Sequence, residues 1–261
     1  MKTHLLTKKR ALISSVAMLL VAIIALGTAT FAWFTQNTQA TADELQVRTI
    51  KASELQVSDA ENEWGDTIHY NFDKVLKPAS SADGNTWLAA VAASKSSYEA
   101  GTVSDISSKL DGYVFKEQLN VRNNGAAAVE NVKIKFNLSE IEGGGEGKYA
   151  RLAIVEADKK GTDATLTGSF KDNVYAATAG DSAEAFTSTA KATTTVTAKS
   201  GANAEFNVGN LTAKGQDGAV KYYNIYLWFE GQDTDCKDVN GGNNVPKITF
   251  TVIGDTVNQQ G

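Results

Sequence analysis

The chain has 261 residues, with 25 Lys and Arg against 30 Asp and Glu, a net charge of −5. No basic block lies outside the N-terminus, which argues against nucleic acid or an anionic membrane surface as partner, because both reward clustered cations. One cysteine, Cys236, excludes a disulfide within the chain, so stability must come from a core, an ion or assembly.

Taken in chain order, the first element is an export signal. Lys8, Lys9 and Arg10 precede a long stretch, Ala11 to Phe34, without a charged residue. A cationic start, an apolar run and small residues at its end mark a signal-peptide helix over 1–32. Thr30 at −3 and Ala32 at −1 put cleavage between Ala32 and Trp33; Ala40-Thr41-Ala42 offers a second site further on. The apolar run also approaches the length of a bilayer span, so an uncleaved anchor stays open. Membrane contact is expected only through this segment, and the destination is secreted, in an extracellular matrix or at a cell surface. Four of the 25 basic residues and none of the 30 acidic ones lie in 1–32, which leaves 21 against 30 and a net charge of −9.

Residues 33–47 read as an extended segment that begins with Trp33 and Phe34 and ends with Leu45 and Val47. Glu44-Leu45-Gln46-Val47 is echoed ten residues later by Glu54-Leu55-Gln56-Val57, and both alternate as strands do. They are either a strand pair or one strand and its echo. Trp87 to Ala93, rich in Ala, predicts a short helix, and Ser94 to Asp111 an irregular stretch. Tyr113 to Leu138 predicts a hairpin: apolar residues alternate on both sides of Asn123-Asn124-Gly125, which tolerate positive φ. Leu152, Ile154 and Val155 predict a strand. Residues 160–205, rich in Thr, Ala, Ser and Gly with little apolar content, predict a sheet edge, a loop or an insertion, and Thr193 to Thr197 has strand character. Tyr222 to Phe229 and Ile248 to Val252 are strongly β. The expected fold is all-β, an antiparallel β-sandwich of jelly-roll type over 48–261.

Two stretches carry a family resemblance. Thr30-Phe31-Ala32-Trp33-Phe34-Thr35 followed by Leu45-Gln46-Val47, and Leu227 to Cys236, resemble the TasA/camelysin family of exported Gram-positive proteins, in particular its clostridial members. The segment from Phe115 to Phe136 is similar to a strand-turn-strand pattern of that family. The resemblance covers the signal junction and about a third of the remaining chain. It implies a jelly-roll subunit of biofilm fibres, in which the N-terminal segment of one copy completes a sheet in the next. Trp33, Phe34, Leu45 and Val47 would then be the groove-filling side chains of a donor strand. The same residues suit the first strand of their own domain equally well.

Enzymatic chemistry finds little support. His69 is the one histidine beyond the signal, and there is no His-Glu-x-x-His or Gly-x-Ser-x-Gly. A Cys236–His69 dyad has no local signature. The loop holding Asp233, Asp235, Asp238 and Asn240 is the best candidate for calcium, although Lys237 and the missing closing Glu depart from an EF-hand; a solvated acidic loop is the plainer reading. Tyr223, Tyr226, Trp228 and Phe229 fall into two strand rows, one of which an adhesin would expose to sugars. No Leu-Pro-x-Thr-Gly or apolar tail follows Thr256, so covalent wall anchoring is not expected. The expected function is a self-polymerising fibre subunit with no cofactor except that candidate calcium, and with other matrix or surface components as further partners. The alternative is a monomeric cell-surface adhesin or glycan-binding module on the same fold.

Overall fold

A computed structural model describes residues 45–50, 54–61, 63–70, 76–94, 97–138, 149–177, 180, 182–233, 236 and 248–256. The expected signal helix, its cleavage site at Ala32 and Trp33, and Phe34 lie outside these residues, as do Asp235, Asp238 and Asn240. Among the described residues the chain is all-β, with one short 3₁₀ turn at Lys171–Asn173 and no α-helix.

The strands are β1 (Leu45–Ile50), β2 (Leu55–Ser58), β3 (Thr67–Tyr70), β4 (Ala79–Ser80), β5 (Leu88–Ser94), β6 (Ser97–Asp105), β7 (Val114–Asn123) and β8 (Val129–Phe136). There follow β9 (Ala150–Ala157), β10 (Val174–Ala176), β11 (Ser182–Phe186), β12 (Thr193–Thr197), β13 (Lys199–Ser200), β14 (Ala204–Leu211), β15 (Val220–Phe229) and β16 (Thr249–Thr256). A first sheet has the order β14-β8-β16-β1-β3, and a second the order β13-β10-β9-β15-β7-β2. Two small sheets, β4-β5-β6 and β11-β12, complete the set among the described residues.

The two large sheets share one core. Leu55, Leu119, Val121, Leu152, Ile154, Ile225 and Leu227 from the second sheet meet Ile134, Phe136, Phe206, Phe250 and Val252 from the first. Side-chain period explains the first sheet. In β8, Val132, Ile134 and Phe136 are buried while Asn131 and Lys135 face water, as expected for a sheet wet on one side. The second sheet differs. Alternate residues Ala153, Val155, Tyr226 and Trp228 point away from this core and are buried in another, under Trp87 and Phe170. Both faces of β9 and β15 are therefore dry, which is why their sequences read as nearly continuous apolar runs.

Three expectations need correction. Leu88–Ser94 is a strand, not a helix: Trp87 and Ala89 face the outer core while Leu88 packs with Val103 and Phe186 on the other side. Pairing with Ser97–Asp105, itself expected to be irregular, outweighs the helix propensity of alanine. Within 160–205, Val174–Ala176 hydrogen-bonds to β9 and, with Lys199–Ser200, forms one edge of the second sheet.

The third correction concerns Tyr113 to Leu138. β7 pairs with β15 and β2, whereas β8 pairs with β14 and β16, so the two strands form an arch between the sheets and not a hairpin. Asn123 closes the arch. Its Nδ2 donates to the Ala127 and Thr212 carbonyls at 2.7 and 2.8 Å, and its Oδ1 accepts from Gly125 N at 2.8 Å. The Asn-Gly pair thus serves a sheet-to-sheet crossing. The echo Glu44–Val47 and Glu54–Val57 is resolved the same way: both copies hold strands, but β1 lies in the first sheet and β2 in the second.

Asn123→Ala removes all three bonds at a buried site and should cost about 2–3 kcal/mol, given the penalty for stranding buried polar groups. Urea unfolding of wild type and variant checks this. A loss below about 1 kcal/mol, the worth of a single ordinary hydrogen bond, would mean that the arch does not rest on Asn123.

Candidate functional site

The first candidate is the place of β1. It is hydrogen-bonded on both sides, to β16 in parallel and to β3 antiparallel. All other described pairings in the first sheet are antiparallel. Consequently β3 and β16 run antiparallel to one another, and β1 is the strand whose direction departs from the pattern. Leu45 stands opposite Tyr70, and Val47 opposite both Ile68 and Phe250. These neighbours are core-facing: Ile68, Tyr70, Phe250 and Val252 are buried, and Tyr70 donates its hydroxyl to the Gln118 carbonyl at 2.6 Å. The donor-strand candidates Leu45 and Val47 are thus paired within their own chain here. Trp33 and Phe34 lie outside the described residues.

The second candidate is the polar junction after β15. Glu230 is fully buried. Its Oε2 accepts from Trp228 Nε1 and its Oε1 from Gln232 N, both at 3.1 Å, with a further bond from Ser80. Ser80 Oγ in turn accepts from Phe186 N at 3.0 Å. One carboxylate therefore links β15, β4 and, through Ser80, β11. Beside it, Arg151 Nη2 meets Asp233 Oδ2 at 2.6 Å, both side chains almost fully buried. A buried pair of this kind costs desolvation, but breaking it strands a charge and costs about 3–5 kcal/mol. Of the candidate calcium ligands, Asp233 is the one described, and its Oδ2 meets the Arg151 guanidinium. Among the described residues, no group of three or more His, Cys, Asp or Glu is placed to hold a metal ion.

The remaining residues singled out by sequence are not gathered into one site. Cys236 is buried in the central core, and burial, followed by the charges of Glu230 and Asp233, pushes its thiol well above the usual range. A buried, protonated thiol suits neither a nucleophile nor a bridge to a second chain. His69 is exposed on β3, between the core-facing Ile68 and Tyr70. Tyr223, Tyr226, Trp228 and Phe229 are all buried, so neither row is a sugar platform. The row of Tyr226 and Trp228 is covered by Trp87, which stacks on Tyr226 at 5.6 Å and meets Trp228 edge-on at 5.3 Å. Gly84 lets Phe170 complete this cover: its φ is +75°, and a Cβ there would lie 2.5 Å from the Phe170 ring. Glu230 and Arg151 carried no sequence signal beyond single charges within apolar strands.

Comparison with family models, with curated proteins and with solved structures returned no match.

Burial raises the Glu230 carboxyl above its ordinary value of 4.5. The folded protein therefore holds this proton where the unfolded chain has released it. The associated stability is fully present below about pH 4.5 and is lost as pH rises through the folded-state value. The stability of wild type minus that of Glu230→Gln should accordingly fall as pH increases above 4.5. Denaturant titrations of both proteins from acid to neutral pH measure it; a difference that stays flat or rises would contradict the burial argument.

Proposed function

We propose that this chain is a secreted structural subunit that polymerises into extracellular fibres, of a biofilm matrix or a cell surface, through its N-terminal strand. The observation that carries the reading is the position of β1. Leaving β1 aside, the order β14-β8-β16-β3 faces β10-β9-β15-β7. Eight strands in two sets of four with these crossings fit the wiring of a jelly roll. β1 stands between its first strand and its last, parallel to one and antiparallel to the other. A strand that comes first in the chain and lies between two others is well suited to exchange, because an identical segment of a second copy offers the same backbone bonds and the same apolar side chains.

The export signal over 1–32 supports this reading, since cleavage after Ala32 would free the segment from Trp33 onwards. So does the resemblance of the signal junction and of Leu227 to Cys236 to the TasA/camelysin family. The buried thiol and a histidine exposed on the surface of β3 fit a non-catalytic protein. Geometry adds one constraint. Residues 51–54 join β1 to β2, and four residues span at most about 14 Å. Subunits exchanging β1 while keeping β2 must therefore abut, which describes a compact fibre and not a string of beads. The second reading, a monomeric adhesin, keeps β1 in its own sheet.

Negative-stain electron microscopy of residues 33–261 and of a chain starting at Ala52 separates the two. The fibre reading expects filaments from the first and folded, non-assembling protein from the second. Folded monomers from the longer chain under all conditions would favour the adhesin.

A further inference from the structure

A cleft of about 510 Å³ opens between the two large sheets, where β10 and β13 of one come near β14 of the other. That volume lies within the usual range for small-molecule sites. Its lining includes Glu156, Tyr175, Lys199, Ser200, Glu205 and Asn207.

Charge sets this cleft apart. Beyond residue 32 acidic residues outnumber basic ones, yet here the order is reversed. Glu205 is shared by two lysines: Lys133 Nζ meets its Oε2 at 2.6 Å, and Lys135 Nζ its Oε1 at 2.7 Å. Those two bonds hold the Glu205 carboxyl down to about 2, so it stays ionised at neutral pH and still leaves one positive charge over. Glu156 is matched by one lysine, Lys221, at 2.7 Å. Lys199 has no carboxylate partner among the described residues. Its Nζ donates to Asn173 Oδ1 at 3.3 Å and stands 5.7 Å from the centre of the Tyr175 ring. Four lysines therefore accompany two glutamates. They come from β8, β13 and β15, far apart in the chain, which is why no basic block in the sequence announces them.

The kind of cation narrows the kind of anion. Planar, two-pronged capture of a carboxylate favours arginine, and every cation here is a lysine, a compact point charge. Several such charges around one opening suit a phosphate, whose charge is spread over three acceptor oxygens. Asn207 adds a neutral donor: its Oδ1 accepts from Gly209 N at 3.0 Å, which leaves the amide's N–H groups for a ligand. The cleft is larger than a bare phosphate ion fills, so the phosphate is expected to be carried on an organic group.

We propose that this cleft binds a phosphate ester of a small organic molecule, with the ammonium groups of Lys199 and of Lys133 and Lys135 as the counter-charges. It lies at the far side of the first sheet from β3, with β8 and β16 between β14 and β1. The proposal stands apart from the fibre reading: a fibre subunit and a monomer would both carry it.

Backbone-amide chemical-shift titrations of the full-length chain test it, at constant ionic strength, with glycerol 3-phosphate, inorganic phosphate and galacturonate as probes. Glycerol 3-phosphate should give saturable shifts at residues 199–200 and 204–207, and should bind more tightly than the other two. Lys199→Gln should weaken this binding about fivefold, the worth of one good exposed charge pair, and Glu205→Gln should tighten it by a similar factor because it releases two lysines. Both side chains are exposed, so neither change empties the core, and the opposite signs separate charge from packing. Shifts that fail to saturate, or an equal response to galacturonate, would identify an adventitious ion only and overturn the proposal. Inorganic phosphate binding as tightly as the ester would overturn the assignment of an organic ligand. Lys199→Gln binding like wild type, or Glu205→Gln binding more weakly, would overturn the role given to the lysines.

Discussion

The central strands of the second sheet, β9 and most of β15, are dry on both faces, and much of the molecule follows from that. A sheet covered on one side needs one partner layer; this one needs two. The first sheet supplies the inner cover. The outer cover is assembled from short pieces: Trp87, Phe170 and Val196, drawn from the segments between β3 and β7 and between β9 and β14. Small pieces of this kind bury too little to hold themselves in place, and polar links fix them. Gly231 N bonds the Ala79 carbonyl at 2.9 Å, and Ser80 ties Phe186 to Glu230. The buried Glu230 and the Arg151–Asp233 pair are thus the cost of attaching the outer layer to the end of β15.

The same constraint bears on where assembly can occur. Removing any strand from the middle of the second sheet would expose two apolar faces at once. The first sheet has only one buried face, and β1 is the member that comes first in the chain. On the proposed reading, exchange takes place at the position where the disturbance to the core is smallest. The parallel pairing with β16 fits this: a strand hydrogen-bonded between two others of opposite direction is compatible with either, and its loss leaves neighbours of complementary direction.

Strand identity was legible in sequence where a single rule governed it. β8 and β16 alternate because one face is wet, and β9 and β15 are continuous because neither is; β14 alternates in the same way but was not read as a strand. Partnership was not legible. Asn123-Asn124-Gly125 between two alternating runs is the local signature of a hairpin, yet the five residues 124–128 carry the chain across the core. Local turn chemistry fixes a reversal of direction, and a reversal occurs in an arch as well as in a hairpin. The Ala-rich strand β5 was missed because its partner Ser97–Asp105 has no clear pattern of its own. The aromatic rows of β15 were half legible: the alternation was there, but the cover over Tyr226 and Trp228 comes from Trp87 and Phe170, more than fifty residues away in the chain.

The central claim is that β1 is shared between copies. Its most direct test is cross-linking mass spectrometry on assembled protein prepared from equal parts of ordinary and ¹⁵N-labelled chain. Cross-links between β1 and β16 or β3 are then sorted by isotope. Exchange predicts a large share of mixed-isotope pairs at this position in the assembled material. Cross-links that join only chains of the same isotope would show that β1 stays in its own sheet, and would contradict the account.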